Sequence, residues 1–195
     1  MMIKIIFASG NKGKIAEVRK ILGELDIPIL SLHDINFEGD IEETGNSFEE
    51  NAKIKAIEIF TNYNFPTIAD DSGLVVEQLN GEPGIYSARY AGIDSDDAAN
   101  NIKLLENLSS KLEPHRAKFV CSAVYYSGEE TYTAVGEVNG KIISKARGIN
   151  GFGYDPLFVP DGYSKTMAEL DPEIKNSISH RFKAFDQLKK HLLSI

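Results

Sequence analysis

The stretch IKIIFASGNKGKIAEVRKILGEL, residues 3–25, decides the fold class of this chain. Residues 3–8 are mostly apolar and predict a buried β-strand. The segment SGNKGK follows as a glycine-containing loop, and residues 15–25 then carry apolar side chains at helical spacing. A strand, a loop and a helix in this order indicate an α/β protein.

Outward from this stretch, helical and strand patterns alternate along the chain. They predict strands at residues 27–30, 67–69, 74–78 and 141–144, a hairpin of residues 117–126 and 130–138, turns at residues 72–73 and 127–128, a bend at Gly140, and helices at residues 47–63, 94–108, 166–170 and 180–193. Ser47 and Glu50 form a capping-box pattern at the start of one helix. Because the hairpin adds antiparallel pairing, we predict a mixed sheet in one domain of residues 1–195.

The composition limits the classes of function. The net charge is −8, from 21 basic and 29 acidic side chains. Nucleic-acid-binding proteins usually carry a basic excess or a basic stripe, and this chain has neither. No stretch approaches the ~20 apolar residues of a membrane span, and the opening apolar run is too short for a signal peptide. The single Cys121 is interpreted as a core residue, so we expect a cytoplasmic protein without nucleic-acid or membrane partners.

The loop SGNKGK is the first stretch with candidate chemistry. Its glycines let backbone N–H groups approach an anion, and the start of the following helix favours negative charge. The loop departs from the Walker A pattern, so an ordinary strand-to-helix turn is the alternative. The candidate phosphate-binding residues are Ser9, Gly10, Asn11, Lys12, Gly13 and Lys14.

Four acidic residues form the second candidate. Asp70 and Asp71 follow a predicted strand, and Glu42 and Glu43 precede a predicted helix. Adjacent acids are costly to concentrate unless a cation offsets their charge. Carboxylates are the hard oxygen ligands that Mg²⁺ prefers, although a solvated acidic loop with a helix cap is the alternative.

Two later segments contain candidate groups for binding a base. In GINGFGYDPLFVP, residues 148–160, the rings of Phe152 and Tyr154 offer surfaces on which a base could stack, which is worth ~1–3 kcal/mol per base in nucleic-acid binders. A tight buried loop with structural aromatics is the alternative. In KNSISHR, three hydrogen-bond donors lie close in sequence: Lys175, His180 and Arg181.

Taken together, these segments resemble the inosine triphosphate pyrophosphatase family, which acts on non-canonical purine nucleoside triphosphates. The resemblance rests on six motifs in the family's order: SGNKGK at 9–14, EETGNSFEENAKIKA at 42–56, ADDSGL at 69–74, GEPGIYSARYAG at 81–92, GFGYDPLF at 151–158 and KNSISHR at 175–181. They cover nearly the whole chain. The string GIYSARYAG resembles the bacterial branch of the family.

The resemblance implies a role for each motif. Residues 9–14 are expected to bind the triphosphate together with Lys55, and Glu43 and Asp71 to hold Mg²⁺. Asp71 is expected to lie nearest to catalysis, with Ser72 at the substrate. The residues expected to surround base and sugar are Phe152, Gly153, Tyr154 and Asp155, and those expected to read the base are Lys175, His180 and Arg181. The implied fold is an elongated mixed sheet flanked by helices, with two lobes and a central cleft, and the implied assembly is a homodimer.

The resulting hypothesis is an enzyme that hydrolyses ITP, dITP and XTP to the nucleoside monophosphate and pyrophosphate. In this hypothesis Asp71 orients or deprotonates a water that attacks the α-phosphorus, while His180 and Arg181 donate to the oxygen at position 6 of the base. One alternative is a related pyrophosphatase for modified pyrimidine or 7-methylguanine triphosphates. Others are a purine nucleotide sensor without hydrolysis and a nucleic-acid-binding domain.

Overall fold

A computed structural model describes residues 4–94 and 96–194 and shows a mixed sheet flanked by helices. Within these residues the sheet has six strands in the order β2-β1-β3-β4-β5-β6. The strands are β1 (Ile5–Phe7), β2 (Ile29–Ser31), β3 (Thr67–Val76), β4 (His115–Tyr126), β5 (Thr131–Ile142) and β6 (Phe158–Pro160), and the helices are α1 (Lys12–Leu22), α2 (Phe48–Tyr63), α3 (Asp97–Leu108), α4 (Pro172–Ile178) and α5 (His180–Leu192). Strand β1 runs parallel to β2 and β3, whereas β5 and β6 are antiparallel. The predicted α/β class with a mixed sheet is therefore confirmed.

The chain divides into two compact units. Unit 1 comprises the described residues of 1–71, 121–136 and 181–195, and unit 2 comprises those of 72–120 and 137–180. Each unit has a hydrophobic core of its own. None of the helices in the described part of the chain has the length and apolar character needed to cross a membrane.

The core of unit 1 packs helices against β1. Phe7 of β1 meets Phe185 of α5 edge-to-face, with ring centroids 5.8 Å apart. Val18 of α1 is fully buried in the same cluster. In a neighbouring cluster of unit 1, Ile6 of β1 packs with Ile59 of α2. Side chains alternate between the two faces of a strand, so β1 supplies both clusters.

The core of unit 2 is built on aromatic contacts. Phe119 of β4 and Phe158 of β6 pack with ring centroids 4.6 Å apart. Leu104 and Leu108, on one face of α3, are buried in the same cluster. Aromatic pairs in such geometry contribute ~0.5–1.5 kcal/mol beyond the burial of their area.

The predicted start of α2 is confirmed. The Ser47 hydroxyl accepts a hydrogen bond from the Glu50 backbone N–H at 3.1 Å. The Glu50 carboxylate reaches back one residue further than the pattern suggests and accepts from the Asn46 N–H at 2.7 Å. The first contact satisfies an N–H that the first helical turn leaves without an intrahelical partner, and the second ties the residue before the cap to the same turn.

The turn predicted at residues 72–73 is wrong, because β3 runs without interruption from Thr67 to Val76. Gly73 serves a close approach instead. A Cβ atom there would lie 2.3 Å from the Ser87 hydroxyl oxygen and 2.4 Å from the Gly84 carbonyl oxygen. The Ser87 hydroxyl accepts a hydrogen bond from the N–H of Leu74, which ties this segment to β3.

The bend predicted at Gly140 is also wrong, since β5 continues to Ile142. A Cβ atom at Gly140 would lie 2.3 Å from the Val159 carbonyl oxygen, so this glycine admits the neighbouring strand β6. The patterns missed β6, which has only three residues.

Other boundaries differ by a few residues, and one helix was misplaced. Helix α1 begins at Lys12, before the predicted position 15, because Asn11 caps it. Residues 166–170 form turns and not the predicted helix. The helix lies further on as α4, where the Asp171 carboxylate accepts from the Glu173 N–H and Pro172 occupies the first turn. Proline suits that position because its missing N–H has no intrahelical partner there.

Candidate functional site

The loop between β1 and α1 ends in a capped helix start in unit 1. The Asn11 side chain accepts a hydrogen bond from the Lys14 N–H at 3.0 Å, and the Ser9 hydroxyl accepts from the Asn11 N–H at 3.2 Å. Gly10 and Lys12 are exposed to solvent. The structure thus brings residues 9–14 together at the N-terminus of an 11-residue helix, where the helix dipole favours an anion.

Asp70 is the most deeply buried of the predicted site carboxylates in unit 1. Its Oδ2 atom lies 3.1 Å from the Lys14 ammonium and 3.4 Å from the Arg181 Nε atom. Burial alone would raise the pKa of Asp70, but the charges of Lys14, Arg181 and Lys55 outweigh it and hold the pKa below its ordinary value. Asp70 is therefore an anion that anchors two cations.

Arg181 is held by two carboxylates of unit 1 and is only 2% exposed. Besides Asp70, it contacts the Glu17 carboxylate on α1, with Nη1 to Oε2 at 2.6 Å. The sequence patterns do not predict Glu17 as a site residue. A glutamate on a surface helix is normally solvated, and its partner Arg181 lies 164 positions away.

Asp71, the next residue on β3, belongs to a second group of charges in unit 1. The Lys55 ammonium of α2 lies 2.6 Å from the Glu43 carboxylate and 4.0 Å from the Asp71 Oδ1 atom. Burial raises the pKa of Asp71 above its ordinary value, although the Lys55 charge opposes this. Burial alone would lower the pKa of Lys55, but Asp71, Asp70 and Glu43 together raise it. One lysine thus links the two predicted metal ligands.

Asn51 is a further member that sequence patterns missed. This residue of α2 is fully buried, and its amide nitrogen donates to the Asp71 Oδ2 atom at 3.0 Å. An asparagine on the inward face of a helix, one turn before Lys55, was the available signal. Buried polar groups almost always have hydrogen-bond partners, so such a residue indicates a partner nearby.

Unit 2 contains the loop of residues 148–160. The Asp155 carboxylate accepts from the Phe152 N–H at 3.0 Å and from the Lys175 ammonium at 2.7 Å. The same ammonium lies 5.3 Å from the centre of the Phe152 ring. Gly151 has a φ of +80°, and a Cβ atom there would lie 2.1 Å from Asp155 Oδ2. Only glycine fits this position.

Gly153 and Tyr154 of this loop are fixed by other parts of unit 2. The Gly153 N–H donates to the Asp97 carboxylate at 2.6 Å, and the Gly153 carbonyl accepts from the Asn101 side chain at 3.0 Å. The Tyr154 ring is buried in the core of unit 2, and its hydroxyl donates to the Ser87 carbonyl. Burial raises the pKa of Tyr154 above its ordinary value, so it is a neutral hydrogen-bond donor here.

The remaining predicted residues also lie in unit 2. The His180 ring stacks on the Phe119 ring, with centroids 4.9 Å apart and planes at 14°. Ser72 continues β3 directly after Asp71 and is half-buried. The structure thus brings Lys14, Asp70 and Arg181 together in unit 1. In unit 2 it brings together Phe152, Asp155 and Lys175.

The carboxylates of unit 1 suit a hard metal ion that prefers oxygen ligands. Within residues 4–94 and 96–194, His, Cys, Asp and Glu side chains do not gather in groups of three that could hold a metal. Glu43 and Asp71 share the Lys55 cation and supply oxygen donors only. Mg²⁺ is usually held by one or two carboxylates together with substrate phosphates and water, so this pair fits Mg²⁺.

The fold and the site together define a class. This is an α/β protein in which unit 1 gathers cations and carboxylates suited to a phosphorylated ligand. Comparison with known proteins shows which family the chain belongs to. The sequence model of the Ham1 family matches residues 5–191. The dITP/XTP pyrophosphatase of Oceanobacillus iheyensis is 49% identical over 197 aligned residues, covering 100% of each chain.

Solved structures agree with the sequence comparison. A HAM1 protein from Coxiella burnetii matches with a TM-score of 0.92 and 40% identity over 100% of both chains. The Ham1 protein of Staphylococcus aureus matches with a TM-score of 0.89 and 44% identity over 98% of both chains. The chain belongs to the Ham1 family, which confirms the resemblance inferred from its motifs.

Proposed function

We propose that this chain is a nucleoside triphosphate pyrophosphatase that hydrolyses ITP, dITP and XTP to the monophosphate and pyrophosphate, and so clears non-canonical purines from the nucleotide pool. The observation that carries the proposal is the charged group in which Lys55 links Glu43 and Asp71, next to the Lys14–Asp70 pair. The name dITP/XTP pyrophosphatase, carried by relatives at 49% and 47% identity, supports the substrate class.

The triphosphate requires several positive charges and N–H donors. Residues 9–14 offer backbone donors at the start of α1, and Lys14 and Lys55 add two cations. Lys14 is positioned by Asp70 of β3 and Lys55 by Glu43, so the ligand would meet cations already held in place. Pre-organised charge of this kind accounts for most of the rate in phosphoryl transfer.

Glu43 and Asp71 are the residues that would hold Mg²⁺. When bound, the ion supplies charge neutralisation of the phosphates and lowers the pKa of a bound water. The donor set supports this assignment, because both groups supply carboxylate oxygens, which are the hard ligands that Mg²⁺ prefers. Chelation is expected to abolish turnover.

Asp71 would orient the attacking water and accept its proton. The water oxygen forms a bond to the α-phosphorus, the bond from that phosphorus to the oxygen leading to the β-phosphorus breaks, and pyrophosphate leaves. A carboxylate is a suitable general base for this step, and the Asp71 Oδ1 atom lies 4.0 Å from the Lys55 ammonium. No covalent enzyme intermediate is part of this proposal.

In unit 2, the proposed base and sugar contacts are Phe152, Gly153, Tyr154 and Asp155. Of the rings in this loop, Phe152 is the partly exposed one, whereas the buried Tyr154 supports the loop from inside. Ser72 is proposed to contact the substrate next to Asp71. These roles rest on the family motif and on the loop geometry described above.

Lys175, His180 and Arg181 are the proposed donors to the oxygen at position 6 of the base. Adenine carries an amino group there, which would leave such donors unpaired. A site built around one hydrogen bond can reject its replacement by ~10⁴–10⁵. Lys175 and Arg181 already bind carboxylates, so their base-reading role requires a direct test.

A homodimer and a cytoplasmic location complete the proposal. The family resemblance supports the dimer, and the single cysteine supports the location. Light scattering at micromolar concentration tests the dimer.

The deciding experiment measures pyrophosphate release from ITP, XTP, GTP and ATP, with Mg²⁺ and with a chelator. Metal-dependent release from ITP and XTP, with little from GTP or ATP, is the expected result. Tight binding without release would indicate a nucleotide sensor. Release only from modified pyrimidine or 7-methylguanine triphosphates would reassign the substrate and overturn the proposal.

A further inference from the structure

Asn51 connects two segments that carry the proposed metal ligands. Its amide nitrogen donates to the Asp71 Oδ2 atom at 3.0 Å, and its amide oxygen accepts from the Gly45 N–H at 2.8 Å. Gly45 lies two residues after Glu43 on the same segment. We propose that Asn51 is a positioning residue for the reaction, which holds the Asp71 carboxylate and the Glu43 segment in one arrangement. This inference rests on the proposed function.

The contacts of Asn51 require both ends of an amide group. A carboxamide is a donor at nitrogen and an acceptor at oxygen, so one side chain can bind a carboxylate and a backbone N–H. Aspartate has the same shape but, when ionised, lacks the donor. Leucine has a similar size and lacks both functions. Position 51 therefore requires the donor and the acceptor of an asparagine amide, and not only a side chain of its size.

The packing around Asn51 leaves little freedom. The side chain is fully buried, and a Cβ atom at Gly45 would lie 2.7 Å from its amide oxygen and 2.6 Å from the Glu50 Cβ atom. Glycine at position 45 is thus the residue that lets the segment approach α2 closely enough for the hydrogen bond. Asn51 and Gly45 therefore form one unit, here called the clamp, which connects the Glu43 segment to Asp71.

The clamp gives the two oxygens of Asp71 different surroundings. The Oδ2 atom accepts from Asn51, whereas the Oδ1 atom faces Lys55 at 4.0 Å. A carboxylate held at one oxygen has a defined orientation at the other. Misplacement of a reacting group by about 1 Å can reduce the rate by ~10²-fold, so loss of this hydrogen bond should reduce kcat more than substrate binding.

The test compares Asn51→Asp and Asn51→Leu with a matched control in unit 2. Asn100 of α3 is also a buried helical asparagine, whose amide accepts from the Ala91 N–H at 2.7 Å and donates to the Ala88 carbonyl at 3.1 Å. Asn100→Leu therefore removes a comparable pair of amide hydrogen bonds, both of them to backbone groups. Melting temperatures identify variants that fail to fold, and Asn51→Ser replaces any such Asn51 variant.

Steady-state kinetics with ITP and Mg²⁺ separate the outcomes. We expect kcat to fall by ~100-fold in both Asn51 variants, with KM within ~3-fold of the unmodified protein and with Asn100→Leu keeping kcat within ~2-fold. A kcat for Asn51→Asp within ~3-fold of the unmodified protein, or an equal loss in Asn100→Leu, would overturn the positioning role while leaving the proposed function intact. Absence of ITP turnover by the unmodified protein overturns the proposed function and this inference with it.

Discussion

In unit 1 the candidate residues are mostly charged groups that pair with one another, whereas unit 2 holds its candidate residues mainly through backbone hydrogen bonds and ring contacts. Asp70 binds both Lys14 and Arg181, and Lys55 binds Glu43 beside Asp71. In unit 2, the Gly153 N–H donates to Asp97 and the Tyr154 hydroxyl donates to the Ser87 carbonyl. Lys175, on α4, adds one ion pair with Asp155.

The difference fits the proposed function, in which unit 1 binds phosphates and unit 2 binds the base. Buried ions are expensive unless each is paired and hydrogen-bonded, and the paired ions of unit 1 suit the binding of a charged ligand. Unit 2 presents a partly exposed ring and fixed backbone groups, which suit recognition of a base by shape and hydrogen bonding.

The sharpest test of unit 1 is Asp71→Asn. We expect kcat for ITP to fall by ~10³-fold, because the amide cannot accept a proton and is a poor ligand for Mg²⁺. Stability should be unchanged or higher, since burial already disfavours the charged form of Asp71. Pyrophosphate release and urea unfolding measure the two effects. Near-normal turnover would remove Asp71 from the reaction.

Arg181→Ala tests the buried ion pairs of unit 1. Removing the guanidinium leaves Asp70 and Glu17 without their shared cation, and breaking a buried pair costs about 3–5 kcal/mol. We also expect a lower ITP-to-ATP ratio of kcat/KM if Arg181 reads the base. The matched variant Glu17→Gln weakens the pairing but keeps the guanidinium, so it should preserve the ratio. An unchanged ratio in Arg181→Ala would refute the base-reading role.

Lys175→Met tests the loop of unit 2. The Asp155 carboxylate loses its charged partner and the Phe152 ring loses the ammonium near its face. We expect kcat/KM for ITP to fall by ~10–100-fold, in line with one lost charged hydrogen bond, chiefly through KM. Lys141→Met makes the same change at an exposed site of unit 2 and should have no effect. A loss confined to kcat would place Lys175 with the chemistry of unit 1.

The smallest effect is expected at an exposed pair of unit 1. Hydrogen bonds from Ser31 and the charge of Arg19 lower the pKa of Asp34 to about 2. A lowered pKa in the folded state means that the stabilisation is present above the ordinary pKa of 3.8 and is lost as the pH falls towards 2. Asp34→Asn should therefore destabilise by less than about 1 kcal/mol at pH 7, since the pair is partly exposed.

The pH series provides the control for Asp34. Unfolding of the unmodified protein and of Asp34→Asn should differ at pH 7, and the difference should close between pH 4 and pH 2. A difference that persists at pH 2 would mean that the side chain acts through packing instead of charge.

Local signals were sufficient for the elements whose cause is local. Ser47 and Glu50 predicted the start of α2, because capping involves neighbours within four positions. Glycines gave less information about structure than the capping residues did. The sequence predicts a turn at Gly73 and a bend at Gly140, yet both glycines lie inside strands and admit neighbouring atoms. The sequence does not show whether a glycine serves a turn or the close approach of another segment.

Strand and helix periods and the order of motifs are properties of the chain, so they were enough to predict the α/β class, the family, and the motifs that contain Lys14, Glu43 and Asp71. The contact of Asn51 with Asp71, and those of Glu17 and Asp70 with Arg181, exist only in the folded chain. The physical reason is that hydrogen bonds and ion pairs depend on distances of a few ångströms, which folding creates between residues that the sequence keeps far apart.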